Sequence, residues 1–247
     1  MPRLNILFVA SECVPFAKTG GLADVVGALP LALAERGHDV RVVLPCYRTA
    51  RRKASTALPL ALEVPLGGGA VWCGVREAIL ERAPRAGART RRAEPVRVYL
   101  LEHDQLYDRD GIYGDAQGDF RDNLTRYALL SRGALRLADA LDFVPDVVHA
   151  HDWQAGLVPV YLDTLEQGGR IGGAASVFTI HNLAYQGWFS KEDLWRTGLG
   201  WDVFHAGLLE AKDTVNLLKG GIQASTIVST VSPRYGREIQ TREGGEG

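Results

Sequence analysis

The sequence is poor in features that would place it in several protein classes. Its 247 residues hold three cysteines, Cys13, Cys46 and Cys73, an odd number with no Cys-x-x-Cys spacing. That fits core or near-surface thiols in a reducing cytoplasm better than a disulfide framework. No stretch approaches the ~20 apolar residues of a membrane-spanning helix. The N-terminus lacks the charged segment, apolar run and small-residue cleavage site of a secretory leader. Neither sign of charge prevails, with 28 Lys and Arg against 29 Asp and Glu. Nothing electrostatic therefore argues for nucleic acid or an anionic membrane, and a cytoplasmic protein is expected. Neither a Walker pattern nor Gly-x-Gly-x-x-Gly is present. There is no internal repeat, and the one biased segment is the Arg-, Ala- and Pro-rich stretch 82–97.

What the sequence does have is hydrophobic periodicity of the α/β kind, in a chain long enough for one large core. Leu4 to Ala10 reads as a buried parallel strand. Leu22, Val25, Val26, Leu29 and Leu33 then fall on one helical face that Gly37 closes, and Val40 to Leu44 reads as a second strand before Pro45. This is a βαβ unit with a right-handed crossover. Leu60 to Leu66 and Val71 to Ala78 read as a hairpin around Gly67-Gly68-Gly69, part of an excursion over about 58–95. Val96 to Leu101 is a strand and 121–141 a long amphipathic helix. Strands over 146–151, 176–181 and 226–231 alternate with helices over 153–166, 192–200 and 203–218, and Pro233 opens a last helix. Arg48, Arg51, Arg52 and Lys53 read as a solvated loop, and Trp195 and Trp201 as core or rim.

Candidate chemistry collects at strand ends. Lys18-Thr19-Gly20-Gly21 lies between the first strand and helix, where glycines admit a close backbone approach and helix N–H groups favour an anion. With Lys18 beside them, a diphosphate is the natural guest. An ordinary strand-to-helix turn with a solvated lysine fits the residues equally well. Asp24, in the first turn, complements the helix dipole. His149 and His151 share a face of one strand, but His-Ala-His-Asp-Trp-Gln lacks the spacing of a dinuclear metal site. His181, at another strand end, can be a proton-transfer group, a hydrogen-bond donor or a satisfied structural histidine. Ligands of open parallel sheets bind at the carboxyl ends of strands, so these segments can converge on one crevice.

Four ordered stretches carry a resemblance. Lys18-Thr19-Gly20-Gly21-Leu22-Ala23-Asp24-Val25, preceded by Ser11-Glu12 and Pro15, is followed by His149-Ala150-His151-Asp152-Trp153-Gln154-Ala155-Gly156. Then come Phe178-Thr179-Ile180-His181-Asn182-Leu183-Ala184-Tyr185-Gln186-Gly187 and Thr230-Val231-Ser232-Pro233. Together they resemble the N-terminal, starch synthase catalytic domain of bacterial glycogen synthases and plant starch synthases, glycosyltransferase family 5. The resemblance implies the N-terminal half of a GT-B glycosyltransferase: a Rossmann-like, mostly parallel sheet with helices on both faces, spanning 1–247, without the C-terminal nucleotide-binding domain. It implies retaining transfer of glucose from ADP-glucose to the non-reducing end of an α-1,4-glucan such as glycogen, with no metal or other cofactor. Such a half alone is expected to turn over little or not at all.

As implied by the resemblance, His181 and Asp24 are catalytic. Lys18, Thr19, Gly20, Gly21, Tyr113 and Asn182 hold the donor, and Asp152, Trp153, Tyr185 and Gln186 form the sugar and acceptor cleft. Lys18 would face phosphate and Asp24 the sugar, with His181 orienting glucose. A glucan-binding module without catalysis, and a related transferase using UDP-glucose, are the alternatives.

Overall fold

The computed structural model describes residues 2–81 and 94–246. In chain order, β1 (Asn5–Val9) leads through the glycine loop into α1 (Gly21–Ala34), and β2 (Asp39–Pro45) follows. The helix stops before Gly37, whose φ of +94° makes the turn that returns the chain to β2. A short α2 (Arg48–Arg51) precedes the long hairpin β3 (Thr56–Leu66) and β4 (Gly69–Leu80), then β5 (Val96–Glu102). Next come α3 (Asp104–Tyr107), the small hairpin β6 (Gly114–Asp115) and β7 (Gly118–Asp119), and the 18-residue α4 (Asn123–Ala140). The last third runs β8 (Val147–His151), α5 (Leu157–Thr164), β9 (Ala175–Ile180), β10 (Trp188–Ser190), β11 (Glu210–Ala211), β12 (Thr214–Asn216), α6 (Leu217–Ala224), β13 (Ile227–Thr230) and α7 (Pro233–Glu238).

Eight of these strands form one sheet in the order β13-β9-β8-β1-β2-β5-β4-β3. The six from β13 to β5 are parallel, and β4 and β3 extend the sheet as antiparallel strands. The hairpin is thus an edge of the main sheet. The chain leaves β1 toward β2 and later returns to β1's other side at β8, so the strand order reverses between β1 and β8. Right-handed crossovers on either side of that point set α1 on one face and α5 and α6 on the other. Buried apolar side chains fill the inner strands: Phe8, Val9, Val42, Val43, Val98, Leu100 and Val148 have no more than trace exposure, as strands covered on both faces require.

Several elements differ from the sequence expectation. The 203–218 segment is no helix: Lys212 and Asp213 both have positive φ, +53° and +62°, and turn β11 into β12. Two successive left-handed residues cannot lie inside a right-handed helix. The apolar residues that suggested one, Val203, Leu208, Leu209, Val215 and Leu217, are indeed buried, but from separate elements. Expected helices over 153–166 and 192–200 are each partly or wholly 3₁₀ turns, over Trp153–Ala155 and Lys191–Thr197. The arginine cluster is only in part a solvated loop: Arg52 and Lys53 are exposed, but Arg48 and Arg51 are paired. Arg48 bonds Asp108 at 2.7 Å and Asp110 at 2.6 Å, and Arg51 meets Glu102 at 2.8 Å, tying α2 to the end of β5 and the segment that follows it. Of the core or rim expected for Trp195 and Trp201, exposures of 52% and 63% leave the rim. Most of the arginine-rich stretch 82–97 lies outside the described residues.

Candidate active site

The carboxyl ends of β1, β8 and β9 deliver Glu12, Asp152 and His181 to one cleft of about 720 Å³. Thr19, Gly20 and Gly21 form one lip, Tyr113 and Asp119 come from the β6 and β7 region, and Trp153, Asn182 and Tyr185 complete the wall. This is where the strand order reverses, as expected for a ligand crevice in a parallel sheet.

Asp152 is the hub of the β8 side. Its backbone stands at φ +54° and ψ −178°, a region that residues with a side chain seldom enter. Its amide is pinned to the Thr179 carbonyl of the adjoining strand at 3.0 Å. The twist carries the carboxylate over the end of β9, where Oδ1 accepts the backbone N–H groups of His181 at 2.7 Å and Asn182 at 3.4 Å. One side chain therefore fixes the entry to the His181 loop. Burial outweighs those two bonds and raises the Asp152 carboxyl to about 7. Trp153 follows it into the wall, edge-on to Tyr127 of α4 with ring centres 4.9 Å apart. Gly187 passes so close that a Cβ there would lie 2.6 Å from the indole.

The histidines form a chain behind the cleft. Register places Phe8 beside His149, and His151 beside Thr179. His149 and His151 stack at 4.2 Å, the latter fully buried, and His151 Nδ1 lies 3.0 Å from His181 Nε2. Burial is the main cause that draws His149 and His181 down to about 4 and His151 well below its ordinary value. All three rings are neutral at neutral pH.

On the opposite lip the glycine loop already holds an anion. Glu12, 3% exposed, accepts the Thr19 amide and, at 3.2 Å, the Gly20 amide on Oε2. Its Oε1 accepts the Thr19 hydroxyl at 2.6 Å and the Tyr113 hydroxyl. Ser11 Oγ reaches the same phenol at 2.9 Å. Burial and the neighbouring Glu12 charge both keep the Tyr113 phenol protonated.

A family model described as starch synthase catalytic domain matches residues 5–247. The chain belongs to this starch synthase catalytic domain family. It is 49% identical over 250 residues to the glycogen synthase of Myxococcus xanthus (strain DK1622), covering 99% of this chain and 49% of that protein. It is 47% identical over 251 residues to glycogen synthase 1 of Geobacter sulfurreducens, covering 100% of this chain and 48% of the relative. Among solved structures, the catalytic domain of starch synthase IV from Arabidopsis thaliana, bound to ADP and acarbose, superposes with a TM-score of 0.83. That pair is 32% identical, and the match covers 99% of this chain and 48% of that one. The chain thus spans about half the length of the relatives it matches.

Within this starch synthase-family domain, nine of the twelve residues singled out from sequence line the cleft: Thr19, Gly20, Gly21, Tyr113, Asp152, Trp153, His181, Asn182 and Tyr185. Lys18 and Asp24 do not. They bond each other at 2.7 Å with both side chains about half exposed. The expected division, with Lys18 toward phosphate and Asp24 toward sugar, thus starts from a pair in which each side chain holds the other. Gln186 is not among the lining residues either, its Oε1 accepting Asn216 Nδ2 at 2.7 Å. Glu12, Asp119 and Gln154 line the cleft without having been singled out. Glu12 did carry a signal: an acid immediately beyond a buried strand, at the carboxyl edge where such sheets bind ligands. Among the described residues, no three His, Cys, Asp or Glu side chains gather as a metal ligand set, and no helix is long and apolar enough to cross a membrane.

Proposed function

We propose that this chain forms one wall of the active cleft of a glycogen or starch synthase. The enzyme would be a cytoplasmic one that transfers glucose from ADP-glucose to the non-reducing end of an α-1,4-glucan with retention. The observation that carries this reading is the convergence of Thr19 to Gly21, Tyr113, Asp152 and His181 from four separate segments on one cleft. Family membership supplies the reaction class. The name of the plant neighbour, bound to ADP and acarbose, supports a nucleotide and a glucan-like oligosaccharide as the ligands.

In this reading His181 orients the glucose, and the Asp152-held backbone of His181 and Asn182 keeps a fixed polar surface beside it. Transfer builds positive charge on the sugar and negative charge on the departing diphosphate, so groups held rigid before reaction are worth more than mobile ones. The facing wall would come from polypeptide corresponding to the unmatched half of the relatives, and the reading invokes no metal. Lys18 and Asp24 flank the lip residues Thr19 to Gly21 in sequence, and in this reading their mutual pair exchanges for contacts with substrate.

The test is glucose incorporation into glycogen from ADP-glucose, and in parallel from UDP-glucose, by the chain alone and with that second half added. Transfer only from the combined halves, faster with ADP-glucose, is the expected result. A folded, reassembled complex that binds glucan tightly yet transfers nothing would replace this reading with a glucan-binding module. A preference for UDP-glucose would overturn the donor.

A further inference from the structure

We propose that His151 is a positioning residue that holds His181 as its Nδ1–H tautomer, so that His181 presents the cleft with a hydrogen-bond donor. The contact that does this is His151 Nδ1 to His181 Nε2, 3.0 Å apart. Two neutral imidazoles facing each other must divide one donor and one acceptor, and the shared contact alone does not say which ring donates.

The far nitrogen of His151 decides it. His151 is fully buried, and its Nε2 has no hydrogen-bond partner among the described residues. If His181 donated, His151 would carry its proton on Nε2, leaving a buried N–H with nothing to receive it. If His151 donates from Nδ1, its Nε2 is a bare lone pair. Buried donors without partners are the rarer of the two defects in folded proteins. Nor can the neighbouring rings take up the N–H. Phe8 stacks on His151 at 18° and His149 at 25°, so an N–H in the imidazole plane runs parallel to both faces. His149 is itself engaged, its Nε2 lying 2.7 Å from Thr179 Oγ1, which continues to Ser229 Oγ at 2.7 Å.

With Nε2 of His181 serving as acceptor toward His151, the proton of the His181 ring sits on Nδ1. That nitrogen has no protein partner among the described residues, and His181 lines the cleft. A ring held this way offers a donor to a hydroxyl or phosphate oxygen. It cannot take a proton there without first reversing the buried pair. The depressed values of all three histidines agree with neutral rings, for which a tautomer is defined. The charged or titratable neighbours facing His181 are Asp152, which holds its backbone, and Glu12 across the cleft.

The role given to His181 toward a sugar rests on the proposed function, whereas its tautomer does not, so the experiment reads the tautomer directly. In the intact chain, ¹⁵N-resolved NMR of the histidine rings at neutral pH is expected to show a protonated, pyrrole-type Nδ1 and a pyridine-type Nε2 for both His151 and His181. His151→Phe keeps a ring on Phe8 but removes the donor, and His181 should then lose its single-tautomer signature. A residue that only fills space would leave the His181 shifts unmoved by that change. A wild-type His181 protonated on Nε2, or averaging between tautomers, overturns the proposal even if His151→Phe does not fold. An identical His181 pattern in wild type and a folded His151→Phe also overturns it. Absence of glucose transfer with the predicted tautomer intact would remove the functional reading alone.

Discussion

Acidification from pH 6 to pH 5 should destabilise this protein through the histidine chain, and the size of the loss follows from which groups change proton number. His149 and His181 titrate at about 4 when folded and His151 lower still, against an ordinary value of 6.5. Between those limits the unfolded chain binds up to three protons that the folded chain refuses, so stability rises with pH. Asp152 works the other way. Its folded value of about 7 lies above its ordinary 3.8, so over nearly the same window the folded state binds one proton more than the unfolded, and stability falls with pH. The net is about two protons at pH 5 and somewhat fewer at pH 6. At ~1.4 kcal/mol per proton per pH unit, the loss is about 2 kcal/mol. Urea unfolding at the two pH values, with the m-value unchanged, measures it. Asp152→Asn removes the opposing proton and should steepen the loss by about 1 kcal/mol. Equal stability at pH 5 and pH 6, or no steepening in Asp152→Asn, would refute the assignment of neutral buried histidines and a protonatable Asp152.

Four further outcomes can be checked. Gly187→Ala should cost about 2–5 kcal/mol, because its φ of +67° is left-handed and a Cβ meets Trp153 at 2.6 Å. Gly37→Ala, at φ +94° with open space around it, should cost only about 1–2 kcal/mol, and equal losses in urea melts would deny the Trp153 contact. Asn216→Ala removes the cap at Lys219 N, 2.8 Å away, and the bond to Gln186, for a loss of about 1–2 kcal/mol. Asn216→Asp should recover the cap's share, and no recovery would count against the capping role. In the reassembled enzyme, Lys18→Gln should weaken ADP-glucose binding while Asp24→Asn changes acceptor use. Equal donor losses in both, with acceptor use unchanged, would contradict separate roles for the pair. Glu12→Gln preserves shape but removes charge from four hydrogen bonds, so urea unfolding should register a loss of about 1–3 kcal/mol; a variant as stable as the wild type would mean that the loop does not depend on that charge.

The parallel sheet was legible because its strands are short apolar runs that end where chemistry-bearing residues begin, as at Ala10-Ser11-Glu12 and Ile180-His181. The same logic placed Thr19 to Gly21, Asp152 and His181 at one edge. What misled was periodicity without turn chemistry. Buried residues over 203–218 mimic a helical face, while Lys212 and Asp213 give no glycine or proline to announce the hairpin. Side-chain pairing was equally hidden. A sequence shows that Arg48 and Arg51 are basic, but the carboxylates that neutralise them lie more than fifty positions away, at the end of β5 and just beyond it.

The glycine loop shows how a motif's chemistry can be engaged within the chain itself. Two glycines at a helix start, with free amides and a positive dipole, do predict an anion. The anion present is Glu12, delivered from the end of β1, only seven residues before Thr19. A carboxylate buried there is stable because two amides and two hydroxyls surround it, and those donors are kept in place because the carboxylate is there. The amides of Thr19 and Gly20 are thus already engaged, and a phosphate approaching this lip would meet a negative charge in the position the motif seemed to leave open. For the loop to hold a diphosphate through those same amides, Glu12 would have to move off them. The loop's immediate work in the folded chain is to join β1, the start of α1 and Tyr113 into one rigid side of the cleft.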